Sequence, residues 1–237
     1  MSGNRKQSYL QHNKYNMNLI EGLFNIIAPH QCLGCRKDGA LLCYDCHTSL
    51  APILPRCYRC GRLSDDFRTC ETCRRYTSVH SLWMVTSYEG LSKEVVHQLK
   101  FERAAAGAKA IASALAARLR LDEDVIVTYV PTANRRIRQR GYDQSALIAR
   151  ELARLSGRSF RSCLARLGHQ RQVGGSRALR IKQMQGAFRA VHPATFQNRR
   201  LLLIDDVITT GATCEVATRT LRQAGAKQVD AAVFAVA

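Results

Sequence analysis

The hydrophobic and polar residues of this chain form blocks that predict a parallel α/β sheet. Stretches of strand length lie at residues 81–88, 125–130, 160–164, 201–204 and 229–236. The run at 201–204 is continuously apolar, which is typical of a parallel strand covered on both faces. Helical patterns lie between the strands, at residues 91–99, 104–121, 142–155 and 213–224. We therefore expect a doubly wound sheet whose strand ends converge on a ligand crevice.

Residues 201–221 carry the most informative pattern, because a strand, an acidic pair, a small-residue loop and a helix follow one another. The strand ends at Asp205 and Asp206, and the loop after Val207 contains Thr209, Thr210, Gly211, Ala212 and Thr213. Gly211 lets the backbone approach a ligand, and the N-terminus of the following helix attracts a phosphate monoester. Since two adjacent carboxylates can accept hydrogen bonds from vicinal hydroxyls, the pattern predicts a ribose 5-phosphate site. The alternative is that the acids only precede a turn and the threonines cap the helix.

Eight of the ten cysteines fall into four CxxC pairs between residues 32 and 73. Eight thiolates suffice for two tetrahedral Zn²⁺ sites, and the short connectors favour local pairing. The first site is then Cys32, Cys35, Cys43 and Cys46, and the second is Cys57, Cys60, Cys70 and Cys73. Interleaved pairing stays open, as do disulfides or a redox CxxC. Because so small a segment has little core of its own, we expect the metal to supply most of its folding free energy.

The chain is strongly basic, with 36 Lys and Arg against 18 Asp and Glu and a formal net charge of +18. Two Zn(Cys)₄ centres, each of about −2, would lower this to roughly +14. A surplus of this size attracts polyanions in a salt-dependent way. We find neither a secretory signal nor a run long enough to span a membrane, and we therefore expect a cytoplasmic protein whose thiols stay reduced.

The positive charge is concentrated beside the predicted crevice. Pro131 and Thr132 follow the second strand, and Arg135, Arg136, Arg138 and Arg140 come next, ahead of the helix at 142–155. Guanidinium groups match phosphate oxygens, and cations are unfavourable beside a helix N-terminus, so we expect one or two of these arginines to hold a diphosphate. A solvated arginine face is the alternative. Further basic residues, Arg171, Arg177, Arg180 and Lys182, belong to a long stretch predicted to be a lid.

Three segments follow from these patterns. Residues 1–18 are predicted to be a disordered lead-in, residues 19–78 a short docking helix with a double zinc ribbon, and residues 79–237 the α/β domain.

The order of motifs resembles the ComF/GntX family of competence-associated phosphoribosyltransferase-like proteins. The resemblance covers nearly the whole chain from residue 19 onward. DDVITTGAT at residues 205–213 resembles the phosphoribosyl diphosphate (PRPP) signature of type I phosphoribosyltransferases, whereas RGYDQS at residues 140–145 and the double zinc ribbon point to ComF. The resemblance implies the type I phosphoribosyltransferase fold, with Asp205 and Asp206 on the ribose hydroxyls and the following loop on the 5′-phosphate. It also implies a pyrophosphate loop at residues 131–140, a flexible hood at 166–187 and Mg²⁺ bound with PRPP.

Three functions are open at this point. The resemblance implies a role in DNA uptake or DNA utilisation, with PRPP bound in the crevice. Single-stranded DNA would then be held, largely without sequence specificity, by the zinc ribbons and by the cations Arg135, Arg136, Arg138, Arg171, Arg177, Arg180 and Lys182. The second function is a transferase that displaces pyrophosphate from PRPP with an unknown acceptor, in which Asp205 and Asp206 would be the catalytic acids. The third is a regulator that senses PRPP without catalysis.

Overall fold

A computed structural model describes residues 30–167 and 186–237, and the structural statements below concern those residues. Its central sheet has five parallel strands in the order β1-β7-β6-β2-β3. These strands are β1 (Leu82–Ser87), β2 (Ile126–Tyr129), β3 (Ser159–Phe160), β6 (Arg200–Ile208) and β7 (Gln228–Val236). A separate antiparallel pair is formed by β4 (Leu164–Arg166) and β5 (Phe188–Ala190).

Helices precede the sheet and cover both of its faces. They are α1 (Tyr44–Thr48), α2 (Glu71–Arg74), α3 (Gly90–Phe101), α4 (Ala104–Ala116), α5 (Asn134–Arg140), α6 (Gln144–Ser156) and α7 (Ala212–Gln223). Two 3₁₀ turns lie at Asp65–Phe67 and Pro193–Thr195. No helix in the described part of the chain has the length and apolarity that a membrane crossing requires.

The strand β6 separates two hydrophobic cores. Leu202 and Ile204 belong to the core formed with α3, α4 and α6, whereas Leu201 and Leu203 belong to the core formed with α7 and the β4–β5 pair. All four side chains are at most 1% exposed. Alternate residues of a strand point to opposite faces, so a strand covered on both sides is apolar at every position. The parallel sheet, its two helical layers and the cysteine-rich segment before it confirm the predicted fold class, the type I phosphoribosyltransferase fold with an N-terminal module.

The cysteine-rich segment closes one edge of the sheet. Pro52 and Arg68 form isolated antiparallel bridges with Thr86 and Ser81, on the free side of the edge strand β1. The N–H of Ile53 also donates to the carbonyl of Val85 at 3.3 Å. Because an open strand edge is a site for unwanted pairing, the module protects the sheet as well as carrying cysteines.

Several predicted elements differ from the structure. The strand expected at 160–164 is two strands, because the chain leaves the sheet after Phe160 and pairs again only at Leu164. The alanine-rich helix ends at Ala116 rather than 121. The segment at 134–140, expected to be a loop, is the helix α5, which ends at Gly141 in the left-handed conformation (φ 81°).

Some predictions lie outside the described residues. They are the lead-in, the docking helix, most of the hood, and the cations Arg171, Arg177, Arg180 and Lys182.

Candidate functional site

The two acids lie inside β6 rather than after it, since the strand continues to Ile208. Asp205 is half-buried, and its Oδ1 accepts hydrogen bonds from Ser145 Oγ and from the N–H of Asp206, each at 3.0 Å. Burial and the neighbouring Asp206 raise the pKa of Asp205 well above its usual range. Ser145, in the first turn of α6, therefore ties that helix to the acidic pair.

Asp206 is buried and already has a cation beside it. Its side chain is 9% exposed, and Lys100 Nζ lies 2.6 Å from its Oδ2. Its Oδ1 accepts the N–H of Val207 at 2.9 Å. Lys100 comes from the last turn of α3, 106 positions earlier, so sequence reasoning did not connect the two residues.

The predicted phosphate loop is very short, because only residues 209–211 separate β6 from α7. Gly211 is the N-cap of α7 and has a left-handed conformation with φ 75°, which favours glycine. A glycine has no side chain that could cap the helix, so no N-cap side chain competes with a ligand for the first N–H groups. The alternative in which a threonine is the N-cap does not describe this loop. Thr209 is exposed, and Thr213 lies inside the helix.

Tyr58, from the second cluster's first CxxC, packs behind this loop. A Cβ on Gly211 would lie 3.0 Å from Tyr58 Cε2, so the ring contacts the glycine backbone. Tyr58 Oη donates to Glu215 Oε1 at 2.9 Å and pairs with Thr77 Oγ1 at 2.6 Å. Arg59 Nη1 lies 2.7 Å from the same Glu215 oxygen. Both residues between Cys57 and Cys60 thus hold the first turns of α7.

Glu215 is 1% exposed, so these contacts replace its hydration. One feature of the sequence indicates the contact with Glu215: both residues between Cys57 and Cys60 have side chains that can donate hydrogen bonds.

Pro131 and Thr132 follow β2 and are buried. The polar groups of Thr132 form hydrogen bonds with the N-cap residue of α6. Its N–H and Oγ1 donate to Asp143 Oδ2 and Oδ1 at 2.8 and 3.0 Å. Asp143 also caps α6 by accepting from the N–H groups of Ser145 and Ala146. The loop after β2 is therefore fixed to the same helix whose Ser145 reaches Asp205.

The arginines predicted to hold a diphosphate lie on α5 and differ in accessibility. Arg135, Arg136 and Arg138 are exposed, whereas Arg140 is half-buried. Arg140 Nη1 donates to Gln144 Oε1 at 3.0 Å, and its guanidinium lies 4.9 Å from the centre of the Phe101 ring. Arg138 and Arg140 occupy the last turn of their own helix, where the dipole favours cations. The dipole of α5 therefore offsets the cost of placing these two cations ahead of α6, and that cost alone does not require another partner. That these arginines hold a diphosphate stays a prediction.

The eight clustered cysteines form two groups of four. The first is Cys32, Cys35, Cys43 and Cys46, the second is Cys57, Cys60, Cys70 and Cys73, and within each group all sulfurs lie within 4.8 Å of one another. This is the local pairing that the short connectors favoured. Four sulfurs at such distances are a donor set that fits a tetrahedral Zn²⁺ ion.

The two clusters are copies of one turn. The N–H of Cys32 and that of Cys57 each donate to the carbonyl five residues further on, at 2.8 Å. Arg36 and Gly61, each four residues after the first cysteine, are left-handed, with φ values of 62° and 74°. Cys43 and Cys70 then serve as the N-caps of α1 and α2. The segment is therefore an internal repeat.

In each cluster the first cysteine has a lowered pKa, so it forms a thiolate more readily than a free thiol does. Although burial opposes it, backbone N–H groups lower the pKa of Cys32 and that of Cys57 to about 6. Burial and the neighbouring thiols raise the pKa of Cys46 and that of Cys73 to about 12. Four adjacent thiolates repel one another, and a dication removes that repulsion, so the clusters can hold metal ions.

Known proteins resemble the chain along most of its length. It is 30% identical over 222 residues to the DNA utilization protein YhgH of Salmonella typhimurium, covering 85% of this chain and 95% of that protein. It is 27% identical to competence protein ComFC of Bacillus subtilis, covering 87% and 88%, and 29% identical to competence protein F of Haemophilus influenzae, covering 84% and 93%. No protein-family model matches the chain.

Solved structures resemble the chain more weakly. A glutamine PRPP amidotransferase from B. subtilis, complexed with ADP and GMP, shares 23% identity at a TM-score of 0.39. The match covers 53% of this chain and 25% of that enzyme. An allosteric regulatory enzyme of purine biosynthesis gives 25% identity, the same coverage and a TM-score of 0.37. These TM-scores are too low to support any conclusion about the fold beyond the topology described above.

Proposed function

The chain belongs to the ComF family, and from that premise we propose that it binds PRPP and acts on single-stranded DNA in DNA uptake or utilisation. The observation that carries the PRPP part is the junction of β6 and α7. Two adjacent acids in the last half of a central parallel strand are followed, five residues after Asp206, by the glycine N-cap of a helix. A helix N-terminus of this kind suits a phosphate monoester, and the acids suit the hydroxyls of the same sugar.

In this proposal the N–H groups and hydroxyls of the loop and of the first helical turn hold the 5′-phosphate, and these residues are Thr209, Thr210, Gly211, Ala212 and Thr213. Val207, predicted as a further contact, already donates its N–H to Asp206 Oδ1 at 2.9 Å. Asp205, the more exposed of the two acids, takes the ribose hydroxyls first. Asp206 shares in this only after Lys100 yields part of its ion pair. Pro131 and Thr132 shape the wall beside the diphosphate, and Arg135 and Arg140 balance its charge.

Two kinds of metal fit the proposal. Each group of four cysteines has the donor chemistry of a structural Zn²⁺ site, which would supply folding free energy to the module. Mg²⁺ prefers carboxylate and phosphate oxygens, and Asp205 together with the diphosphate would offer both. When bound, Mg²⁺ would neutralise part of the diphosphate charge.

Titration calorimetry of the zinc-loaded chain with PRPP, with and without Mg²⁺, tests the first part of the proposal. We expect binding that depends on Mg²⁺, that ribose 5-phosphate reproduces weakly, and that Asp205→Asn combined with Asp206→Asn abolishes. An unfolded variant would give the same loss, so the thermal transition and the zinc content must stay those of the wild type. Unchanged PRPP binding by the folded double variant would contradict the site. Pyrophosphate release with a panel of bases and amines then separates a transferase from a PRPP-responsive regulator.

The DNA part of the proposal is supported by the exposed arginines of α5 and by the net charge of +18. Contacts to phosphates are lost as salt rises, with a slope of about −0.7 for each phosphate of a single strand. We expect the triple change of Arg135, Arg136 and Arg138 to alanine to weaken oligonucleotide binding and to reduce this slope by about two to three.

A matched control removes the same charge elsewhere. Lys93, Lys109 and Arg120 are exposed on or after α3 and α4. Their triple alanine variant should keep most of the affinity and nearly all of the salt slope. Equal losses in the two triple variants would mean that net charge alone, and not the surface of α5, binds DNA.

A further inference from the structure

A cavity of about 540 Å³ lies between the second cysteine cluster and α7. It is lined by Arg59, Arg75, Tyr76, Thr77, Ser78, Glu215 and Arg219. Its volume is within the range of about 300–1,000 Å³ that is usual for small-molecule sites. Five of these residues belong to the zinc-ribbon segment that was expected to contact DNA as a whole, but none of the seven was assigned individually to the PRPP or DNA site.

The cavity has an excess of positive charge. The carboxylate of Glu215 is paired with Arg59, whose Nη1 lies 2.7 Å away. That pairing leaves the guanidiniums of Arg75 and Arg219, which take part in no ion pair among the described residues. The cavity therefore has three guanidiniums against one carboxylate, and this excess of positive charge on one concave surface favours an anionic ligand.

The walls of the cavity are held in place before any ligand arrives. Arg59 Nη1 also donates to the backbone carbonyl of Tyr76 at 3.1 Å, and its guanidinium lies 5.6 Å from the centre of the Tyr76 ring. The hydroxyl of Thr77 pairs with that of Tyr58 at 2.6 Å. Because Arg59 is fixed by Glu215 and by this carbonyl, the cavity keeps its shape with little cost in side-chain entropy.

An aromatic ring that lines the cavity indicates which class of anionic ligand would fit. Tyr76 lines the cavity and is 64% exposed. A ring in this position can stack with a nucleobase, and stacking of this kind contributes about 1–3 kcal/mol per base. A nucleotide site needs guanidiniums that bind the phosphate and an aromatic ring that stacks on the base, and this cavity has both.

We propose that this cavity is a second anion site, which binds the phosphate group of a nucleotide through Arg75 and Arg219 and its base against Tyr76. The same chemistry is offered by a free nucleotide and by one residue of a DNA strand. The site does not depend on PRPP binding at the phosphate loop. If the source is a DNA strand, the proposal rests on the proposed function and adds one contact of that strand beside the second cysteine cluster to the contacts of α5.

The test compares Arg75→Ala/Arg219→Ala with the control Arg118→Ala/Arg120→Ala, which removes two cations that follow α4. Calorimetry at low salt uses the zinc-loaded chain and four probes: inorganic phosphate, a deoxynucleoside, its 5′-monophosphate and a short single-stranded oligonucleotide. We expect the cavity variant to bind the monophosphate at least about tenfold more weakly, and the control to lose less than about twofold. Thermal transitions and zinc content should be those of the wild type in both variants.

Tyr76→Ala supplies an independent measurement, because it keeps every cation. It should weaken binding of the monophosphate by about fivefold or more and leave inorganic phosphate unchanged. Loss of monophosphate binding in the cavity variant supports a free nucleotide as the source, and loss confined to the oligonucleotide supports a DNA strand. The proposal is overturned if the wild type binds none of the phosphate probes, if the cavity variant binds them all as well as the wild type, or if the control loses as much.

Absence of PRPP binding would overturn the proposed function at the loop and leave this result unaffected.

Discussion

Tyr58 connects the second cysteine cluster to the phosphate loop, and its replacement gives the sharpest test of the site. Its ring contacts the backbone of Gly211, and its hydroxyl donates to Glu215 Oε1 at 2.9 Å. Tyr58→Ala removes both contacts, whereas Tyr58→Phe removes only the hydroxyl. The conservative variant therefore separates ring packing on the loop from the hydrogen bond to α7.

The size of the effect follows from those two contacts. A hydrogen bond to a charged acceptor contributes about 1.5–3 kcal/mol, and loss of a half-buried ring costs about as much again. Arg59 still pairs with Glu215 after the change, so part of the first term is retained. If half of the hydrogen-bond term is retained and roughly half of the remainder orders residues 209–211, sugar-phosphate binding weakens by about 1–2 kcal/mol, or about 5–30-fold.

Calorimetric titration with PRPP measures this directly, together with the zinc content of each variant. Tyr58→Ala should retain two zinc ions per chain and lose affinity, and Tyr58→Phe should recover most of it. The repeat offers a matched control, since Leu33 occupies the position of Tyr58 in the first cluster and packs against the other core. Leu33→Ala should change the thermal transition without changing the affinity. If Tyr58→Ala binds as well as the wild type, or if Leu33→Ala loses as much, the cluster does not position the loop.

Three other changes have expected outcomes. Asp205→Asn should stabilise the ligand-free protein by about 1 kcal/mol, because it removes a buried charge beside Asp206. The raised pKa of Asp205 means that the folded state binds the extra proton, so this gain in melting temperature at pH 8 should shrink toward pH 5, and a gain independent of pH would contradict the assignment. Gly211→Ala should cost about 1–2 kcal/mol in urea unfolding, because φ is 75° and the new Cβ would lie 3.0 Å from Tyr58 Cε2. Chelation of zinc should remove protection from hydrogen exchange in residues 30–77 and along β1, and re-addition of Zn²⁺ should restore it; protection that survives chelation would show that metal does not hold the module.

Features that depend on local spacing were predictable from the sequence. The apolar run at 201–204, the glycine of the loop and the CxxC spacings all act within a few residues, and the structure has the strand, the turn and the two clusters where they were expected. The predicted ends of the strands and helices were less accurate. The acids lie within β6 because the ladder to β7 continues through Asp205 to Ile208, which no local pattern indicates.

Contacts between distant segments were not predictable from one sequence. Tyr58 and Glu215 are 157 positions apart, and Arg140 is held against Phe101 from another helix. A charged residue in a sequence gives its charge but not its partner. The arginines of α5 appeared equivalent for this reason, although the structure exposes Arg135 and packs Arg140.

Three of the contacts that sequence reasoning missed act on the β6–α7 junction. Ser145 binds Asp205, Lys100 pairs with Asp206, and Arg59 pairs with Glu215 one turn into α7. Two adjacent carboxylates inside a strand repel each other. Lys100 pairs with Asp206, and the raised pKa of Asp205 reduces the negative charge on the second carboxylate. A ligand that brings hydroxyl donors and a counter-cation to this junction would replace both compensations at once. The compensations that stabilise the junction without a ligand are therefore the ones that the proposed PRPP complex would displace.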